Sequence, residues 1–343
     1  MILDLNYEEI CEYVKNLGQP AYRAKQLYEA LTLGKTLEEV TNLPKDFKEK
    51  IAKDYPEYEV VASLESRDGT RKVALKFPDG SIVESVLLKY KYGNTVCVST
   101  QVGCRMGCKF CASTIGGLKR NLTPGEILAQ VIYFNKVFGG TLKERKVTNV
   151  VLMGCGEPLD NYENVTKFLR LVSAEQGLNI SQRNISLSTC GLVPNIYKLA
   201  DGGFSVTLTI SLHAPNDEMR KTIMPVANAY RIEEILKSCR YYFEKTGRRI
   251  CFEYSLIEGF NDTDKAISEL ATLLKGLPCH INLIPLNSVK EKHLSGTPRK
   301  NAYKIAEKLT QMGLSATVRR TMGEDIEGAC GQLRNRIGGE NDQ

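Results

Sequence analysis

The feature that most limits the fold of this 343-residue chain is an alternation of strand and helix patterns from Thr95 onwards. Apolar runs of strand character alternate there with longer stretches of helical periodicity. The predicted strands are Val96–Thr100, Val147–Met153, Ile185–Ser188, Val206–Ser211, Ile250–Leu256 and His280–Leu286. The helical patterns between them include Thr123–Val137, Val165–Glu175, Ile232–Lys245 and Ala266–Lys275. This alternation predicts parallel βα units and therefore an α/β fold.

The beginning of the chain has a helical pattern of its own. Helices are predicted at Tyr7–Asn16 and Ala21–Leu31, and a third element within Lys35–Lys53. This piece is locally basic, and the residues responsible are Arg23, Lys25, Lys45, Lys48 and Lys50. A solvated helix face and a surface that contacts RNA phosphates explain these charges equally well.

From Glu57 onwards, apolar residues recur at every second position, which is the spacing of a β-strand. Strands are predicted at Val60–Ser66, Lys72–Phe77 and Ile82–Leu88, and Asp-Gly pairs between them indicate hairpins. Within the third strand, Glu84 shares a face with apolar residues. A buried carboxylate is costly unless it is paired or used. From the strand pattern alone, a solvent-facing edge is the simpler explanation for Glu84.

A cluster of three cysteines, Cys104, Cys108 and Cys111, lies within the stretch Cys97–Cys111. Thiolates at this C-x3-C-x2-C spacing indicate a zinc, copper(I) or iron–sulfur site. Structural zinc usually takes four protein ligands, and no fourth Cys or His follows at a finger-like spacing. An all-cysteine iron–sulfur cluster also takes four ligands. Three cysteines would therefore leave one iron open to a small chelating molecule.

Polar or glycine-containing turns follow five of the six predicted strands. They are the cysteine loop, Gly154–Pro158, Ser188–Gly191, Ser211–His213 and Pro285–Asn287. In a parallel βα architecture the carboxyl ends of the strands form the ligand-binding face. We therefore expect these turns to meet around one shared ligand.

The spacing C-x3-C-x-aromatic-C, with Phe110 as the aromatic residue, resembles the signature of the radical S-adenosylmethionine (SAM) superfamily. The resemblance implies a [4Fe-4S] cluster whose open iron binds the amino and carboxylate groups of SAM. It also implies a partial (β/α)6 TIM-like barrel. The expected organisation is a small helical, RNA-binding domain at residues 1–55, an antiparallel β extension at 56–94, and a catalytic domain at 95–343 that ends in a catalytic-cysteine loop.

Nearly the whole chain resembles the RlmN/Cfr group of RNA adenine methyltransferases. The matching stretches are Ala21–Leu27, Cys97–Cys111, Met153–Leu159, Leu187–Gly191, Ile210–Pro215 and Glu324–Gln332. Gly156-Glu157-Pro158 and Leu286-Asn287 are more similar to the C2-methylating RlmN branch than to the C8-methylating Cfr branch. The resemblance implies methylation of C2 of an adenine in 23S rRNA near the peptidyl-transferase centre, and of the adenine beside the anticodon in tRNAs.

The resemblance also implies roles for individual residues. Cys104, Cys108 and Cys111 would hold the cluster. The residues implied to line the SAM site are Phe110, Gly156, Glu157, Ser188, Ser211, Leu212, His213 and Asn287. Cys330 would carry the methyl group, Cys97 would be the second catalytic cysteine, and Glu84 would accept a proton, which requires it to face the barrel. Cys155 and Cys190 are expected only to pack.

The implied reaction uses two SAM molecules per turnover. One methylates the Cys330 thiolate, and reductive cleavage of the other gives a radical that removes hydrogen from the S-methyl group. The resulting carbon radical adds to the adenine. Cys97 then helps to remove the ring proton and attacks the sulfur of Cys330, which releases methylated RNA and leaves a disulfide.

Composition limits the partners and the compartment. Hydrophobic residues make up 42% of the chain and charged residues 25%, which is ordinary for a globular protein. The net charge of +6 allows a polyanionic partner without requiring one. The odd count of eleven cysteines and the lack of a signal or spanning segment predict a cytoplasmic protein without a membrane contact. Cys11, Cys239, Cys251 and Cys279 are expected to be buried. A monomer and a low-potential electron donor of flavodoxin or ferredoxin type are implied by the resemblance.

Three alternatives remain open from the sequence. One is C8 methylation of the same rRNA adenine. Another is a radical SAM enzyme that acts on a small molecule or protein, which the placement of Cys97 and Cys330 disfavours. The last is a non-catalytic zinc or iron–sulfur RNA-binding protein, which leaves the motifs after the strands unexplained.

Overall fold

The computed structural model describes residues 1–287, 289 and 291–334. The helices in this part of the chain are α1 (Tyr7–Asn16), α2 (Tyr22–Thr32), α3 (Lys45–Ile51), α4 (Pro124–Val137), α5 (Tyr162–Ser173), α6 (Val193–Asp201), α7 (Asp217–Ile223), α8 (Ile232–Thr246), α9 (Asp264–Leu274) and α10 (Arg299–Gln311). The strands are β1 (Glu59–Glu65), β2 (Arg71–Lys76), β3 (Ile82–Tyr90), β4 (Gly93–Cys97), β5 (Gln101–Gly103), β6 (Leu118–Asn121), β7 (Val147–Leu152), β8 (Ile185–Thr189), β9 (Thr207–Ser211), β10 (Ile250–Leu256), β11 (Cys279–Pro285) and β12 (Ala316–Val318).

One mixed sheet contains ten of these strands, in the order β1-β2-β3-β4-β7-β8-β9-β10-β11-β12. The first four are antiparallel neighbours, and the Asp-Gly turns predict the pairing of the first three. From β4 onwards every neighbouring pair is parallel. A mostly parallel sheet alternating with helices confirms the expected α/β fold. Strand β4 joins the two parts, because Cys97 pairs with Val86 on one side and with Val151 on the other.

The sheet differs from the prediction at two places. Strand β4 is Gly93–Cys97 rather than Val96–Thr100, because its start is set by the hairpin with β3. The parallel part contains a seventh strand, β12, whose three residues are too few to give a periodic signal. A separate hairpin, β5–β6, was also not predicted, and the cysteine cluster lies between its strands.

The N-terminal helices pack on the outside of the barrel and share its hydrophobic core. Ile2 and Leu31 lie beside Leu128 of α4, and Lys167 of α5 pairs with Glu9 of α1 at 3.0 Å. Helix α4 begins with a capping box, in which Thr123 and Glu126 exchange hydrogen bonds of 2.9 and 3.2 Å. The third N-terminal element was predicted within Lys35–Lys53, and the α-helix in it, α3, covers only Lys45–Ile51.

None of the described helices is both long and apolar enough to cross a membrane.

Candidate active site

A cavity lies at the carboxyl ends of the parallel strands. It contains about 920 Å³ not filled by protein atoms, part of it open to solvent. Residues from all five of the predicted turns line it: Cys104, Cys108, Cys111, Gly156, Glu157, Ser188, Cys190, Ser211, His213, Leu286 and Asn287. Phe110 also lines the cavity, beside the cysteines. The expectation that these turns meet at one place is confirmed.

Backbone hydrogen bonds shape the cysteine loop internally, and the Lys109 amide, which donates to the Ile223 carbonyl at 2.9 Å, ties the loop to α7. The Cys104 amide donates to the Gly117 carbonyl at 3.1 Å, and the Cys111 amide donates to the Cys108 carbonyl at 3.2 Å. Burial raises the pKa of the Cys104 thiol to about 12 and also raises the pKa values of Cys108 and Cys111. Such thiols stay protonated at neutral pH unless a cation supplies the opposite charge.

The spacing of the acidic and metal-binding side chains bears on the kind of metal. Within residues 1–287, 289 and 291–334, no three His, Cys, Asp or Glu side chains are grouped closely enough to hold a single ion. A cluster distributes its thiolate ligands over several irons. Cys104, Cys108 and Cys111 line one cavity and are soft ligands of the kind that such a cluster takes.

Gly156 and Glu157 form the wall contributed by the turn after β7. Gly156 has φ +110°, and a Cβ there would lie 2.7 Å from the Cβ of Gln101, so only glycine allows this close approach. The Glu157 carboxylate accepts the amide hydrogens of Cys190 at 2.7 Å and Leu159 at 3.0 Å. Burial raises the pKa of Glu157, although these hydrogen bonds favour the charged form.

His213 is buried in an unusual conformation at the end of β9. Its φ of +57° lies in the left-handed region. The Asn261 side-chain nitrogen donates a hydrogen bond to the His213 carbonyl at 2.8 Å. Nδ1 accepts the Ser255 amide hydrogen at 2.9 Å, so Nε2 carries the proton. Burial, assisted by the charge of Arg220, lowers the pKa of His213 to about 3. The ring is neutral and packs edge-on against Phe110.

Leu212 is a predicted site residue that does not line this cavity. Its side chain is buried in the core, its amide donates to the Glu253 carbonyl at 3.1 Å, and its carbonyl accepts from Arg220 at 3.1 Å. Arg220 was not predicted. Its buried guanidinium also donates to the carbonyls of Cys190 at 2.6 Å and Ser211 at 3.2 Å, which fixes the turns after β8 and β9 relative to each other.

Cys97 and Cys330 line a second, smaller cavity beside the first. None of the eleven cysteines, all of which the structure describes, is joined in a disulfide. Arg319 lines both cavities, its side chain is 19% exposed, and its guanidinium lies 3.4 Å from Glu253. Burial and the nearby Cys330 raise the pKa of the Cys97 thiol to about 12, and the charge of Arg319 opposes this shift. Arg319 is thus placed to stabilise a thiolate here.

The segment that carries Cys330 contacts both the sheet and the cysteine loop. Asn287 donates from its side chain to the Cys330 carbonyl at 3.0 Å. The Ala112 amide donates to the Gly331 carbonyl, and the Ser113 hydroxyl donates to the Leu333 carbonyl, each at 2.8 Å. Residues directly after Cys111 therefore help to position Cys330, although more than 200 residues separate them in the chain.

Glu84 is buried, so the alternative of a solvent-facing edge is wrong. Its strand, β3, lies between β2 and β4, and the neighbouring Val86 on the same face packs against Cys97. The Glu84 carboxylate lies 3.0 Å from the Lys72 ammonium and accepts the Arg334 amide hydrogen at 2.8 Å. The pair carries opposite charges inside the protein, which is the arrangement that makes a buried carboxylate tolerable.

The remaining cysteines are less uniform than predicted. Cys239 and Cys279 are buried, but Cys11 and Cys251 are half-buried. Cys155 is buried, as expected for a residue that only packs. Cys190 is buried and also lines the cavity; its backbone groups bond to Glu157 and Arg220, as described above.

Among the basic N-terminal residues, Arg23 is engaged with the protein itself. Its guanidinium donates to the Asn42 carbonyl at 2.6 Å and to Gln26 at 2.7 Å. Lys25 and Lys45 are exposed and have only long contacts, of 4.0 Å, to Glu29 and Glu49. The lysines are therefore better placed than Arg23 to meet an anionic partner.

Comparison with known proteins identifies the family. Residues 98–271 match the radical SAM superfamily. The "Probable dual-specificity RNA methyltransferase RlmN" of Clostridium perfringens (strain SM101 / Type A) is 53% identical over 340 residues, which cover 97% of this chain and 96% of that protein. This chain belongs to the RlmN family of the radical SAM superfamily.

Another RlmN family member supports the assignment, and a solved structure supports the fold. The protein of the same name in Lachnospira eligens (strain ATCC 27750 / DSM 3376 / VPI C15-48 / C15-B4) is 51% identical over 341 residues, covering 98% of this chain and 96% of that protein. The crystal structure of a radical SAM methyltransferase from Sphaerobacter thermophilus superposes with a TM-score of 0.93 at 41% identity, covering 98% and 99% of the two chains.

Members of the radical SAM superfamily, and so of the RlmN family, use a [4Fe-4S] cluster and SAM. The residues of this cavity fit both groups. Three thiols, buried at Cys104 and Cys108 and half-buried at Cys111, supply the soft ligands of a cluster and leave one coordination position to another molecule. Next to them lie a carboxylate, two serine hydroxyls 3.4 Å apart at Ser188 and Ser211, and the close backbone approach at Gly156. This is the polar and glycine-lined wall that a charged, nucleoside-sized ligand requires.

Proposed function

We propose that this chain is an RNA methyltransferase that methylates C2 of an adenine in 23S rRNA near the peptidyl-transferase centre and C2 of the adenine beside the anticodon in tRNAs. The observation that carries the proposal is the pair Cys97 and Cys330 in one cavity, next to the cavity that the cluster cysteines line. The printed name of the relatives, dual-specificity RNA methyltransferase, supports two classes of RNA as substrates.

The chemistry of the target explains why such an enzyme would need both cysteines. A ring carbon of adenine is electrophilic and cannot displace the methyl group of SAM as an amine nitrogen would. A sulfur nucleophile can accept that methyl group first and then present it to the ring. A second thiol is needed afterwards to release the product from the first sulfur. Two thiols that line the same cavity meet both needs.

In this proposal Cys104, Cys108 and Cys111 hold the cluster. Glu157, Ser188, Ser211, His213 and Asn287 line the SAM site with Phe110 and Gly156. When bound, the cluster and SAM supply reductive cleavage of one SAM and the methyl group of another. Neutral His213 offers its Nε2 hydrogen, and the ionised form of Glu157 offers carboxylate oxygens, to the polar groups of the ligand.

Cys330 accepts the methyl group on Sγ, and its segment holds the sulfur at the boundary of the two cavities. Arg319 lines the cavity of both cysteines, and its guanidinium charge favours the thiolate form of Cys97. Glu84 takes up the proton that leaves the ring carbon. The one electron that the ring radical gives up together with this proton would return to the cluster. Cys97 then attacks Sγ of Cys330: the new sulfur–sulfur bond replaces the bond from sulfur to the methylene group, and the electron pair of the broken bond stays with the RNA product, where a proton completes the methyl group.

The N-terminal helical domain, residues 1–55, is proposed to contact RNA phosphates through its lysines. Lys25, Lys45 and Lys50 are exposed on this domain. Ion pairs with phosphates release counterions, so the affinity for RNA should fall as the salt concentration rises. The chain is further proposed to act in the cytoplasm as a monomer, with electrons from a flavodoxin- or ferredoxin-type protein.

The direct test is mass spectrometry of nucleosides from rRNA and tRNA of cells with and without this gene. The proposal predicts 2-methyladenosine in both RNA classes only when the gene is present. If 8-methyladenosine is the only product, the branch assignment is wrong. If neither RNA class changes, while the purified protein still cleaves SAM, the RNA substrate is wrong.

A further inference from the structure

Lys72 is a buried lysine on β2 that lies outside every motif of the sequence. Its side chain is 9% exposed, and Nζ lies 3.0 Å from the Glu84 carboxylate. The same ammonium donates to the Glu327 carbonyl at 3.2 Å. A buried ammonium group is expensive unless it is paired and hydrogen-bonded. Lys72 meets both conditions, and one of its partners belongs to the segment that carries Cys330.

Glu84 completes the connection to that segment. Its first carboxylate oxygen faces Lys72, and its second accepts the Arg334 amide hydrogen at 2.8 Å. Lys72 therefore contacts the segment three residues before Cys330, and Glu84 contacts it four residues after. The two partners of one buried ion pair therefore hydrogen-bond to the backbone on both sides of the cysteine.

The turn between β1 and β2 contacts the chain just before this segment. Asp325 accepts hydrogen bonds from the Ser66 hydroxyl at 2.5 Å and the Arg67 amide at 3.2 Å. Asp68 accepts the Gly323 amide hydrogen at 3.0 Å. The antiparallel strands thus support the chain from Gly323 to Arg334, and the Lys72–Glu84 pair is the buried part of that support.

We propose that Lys72 is a positioning residue: its ammonium group fixes the Glu84 carboxylate and, with it, the Cys330 segment at residues 327–334. The inference rests on the proposed function for the roles of Glu84 and Cys330. Lys72 itself touches neither SAM nor RNA in this account. It acts through the two groups that it holds.

The alternative is that the pair only stabilises the fold. Replacement of both partners of a buried ion pair by apolar residues is often neutral or stabilising, whereas removal of one partner leaves an uncompensated charge. Apolar side chains can therefore restore stability, but they cannot bond to the Glu327 carbonyl or the Arg334 amide. Stability and the order of the segment should respond differently to the double replacement.

The test is hydrogen–deuterium exchange of the full-length protein without RNA or SAM, with thermal unfolding measured in parallel. Lys72→Met should increase the exchange rate of peptides within 327–334 about tenfold, the effect of losing one charge-assisted hydrogen bond. The double variant Lys72→Met/Glu84→Leu should regain the unfolding temperature of the wild type but keep fast exchange. Lys76→Met is the matched control. Lys76 lies on the same strand as Lys72, but its ion pair, with Glu59 of β1, is exposed.

Two results would overturn the inference: wild-type exchange of 327–334 in Lys72→Met, or recovery of slow exchange in the double variant. Neither readout requires RNA methylation, so the inference can fail while the proposed function stands. The proposed function can also fail while the inference stands. This would be the case if the wild type did not methylate RNA but Lys72→Met still showed fast exchange of 327–334. Methylation of Cys330 by SAM adds a functional readout, which should fall in Lys72→Met at normal iron content.

Discussion

Asn287 donates a hydrogen bond from its side-chain nitrogen to the Cys330 carbonyl oxygen at 3.0 Å. Asn287 ends the turn after β11, and Cys330 belongs to the last described segment of the chain. Both residues line the main cavity, so a residue proposed for SAM binding also positions the proposed methyl carrier. The two roles meet in one hydrogen bond.

Replacement of Asn287 by Ala should therefore slow methylation of Cys330 even at saturating SAM. Loss of a neutral hydrogen bond of about 1 kcal/mol corresponds to about a fivefold slower rate. Intact-protein mass spectrometry after incubation with SAM measures the methylated fraction. Asn301→Ala, on the exposed face of α10, is the control and should keep the wild-type rate. Equal rates in both variants would show that the hydrogen bond does not position Cys330.

Cys108→Ala should lose most of the iron of the protein and all reductive cleavage of SAM. Only three cysteines line the cavity from the loop between β5 and β6, so no spare ligand is available there. Anaerobic iron and sulfide assays measure the effect. Cys239→Ala is matched in chemistry but lies in the core away from the cavity, and it should retain its iron. Near-normal iron in Cys108→Ala would identify another residue as a ligand.

His213 should make the protein less stable in mild acid. Burial lowers the pKa of its imidazole to about 3, whereas an unfolded chain has a histidine pKa of about 6.5. The unfolded state then binds more protons below about pH 6.5, so the stabilising contribution is complete above that pH and is lost as the pH falls towards 3. Urea unfolding at pH 7.5 and 5.0 should show this loss.

The control for this effect is a comparison of two histidine variants. His213→Asn should show a smaller loss of stability between pH 7.5 and 5.0 than the wild type. His293→Asn, at an exposed position, should show the wild-type loss. If His213→Asn has the same pH dependence as the wild type, His213 takes up its proton in the folded protein.

Arg319→Met should make the Cys97 thiol less reactive. The pKa of Cys97 is about 12, and the charge of Arg319 lowers it, so removal of this charge raises the pKa further. At every pH below that value the thiolate fraction falls, and with it the rate of alkylation. Peptide mapping after iodoacetamide treatment of the cluster-free protein measures this rate. Arg240→Met, at an exposed position of α8 that lines neither cavity, is the control. A wild-type rate in Arg319→Met would contradict the role of the guanidinium.

The sequence predicts those parts of the fold that rest on local patterns. The hairpins around β2 follow from the Asp-Gly turns, and the α4 helix follows from Thr123 and Glu126, because these signals need only neighbouring residues. Strand β12 was missed because three residues make no period. The start of β4 was misplaced because it depends on pairing with β3 rather than on its own composition.

The residues of the candidate site likewise fall into those that the sequence locates and those that only the structure shows. The cavity-lining turns could be located because each follows a predicted strand. Lys72, Arg220 and Arg319 could not, because single basic residues have no motif and their partners come from distant parts of the chain. Arg220 alone bonds to backbone groups of two different strand ends. Only the folded chain shows that such charges are buried.

The most direct test of the central claim compares Cys97→Ala with Cys330→Ala after reaction with labelled RNA, SAM and a reductant. The measurement is denaturing gel electrophoresis of the protein with and without nuclease treatment. The account predicts a nuclease-sensitive, shifted band for Cys97→Ala, because methylene transfer joins RNA to Cys330 and nothing resolves the adduct. Cys330→Ala should give no such band. A shifted band with Cys330→Ala, or none with Cys97→Ala although SAM is cleaved, would contradict the account.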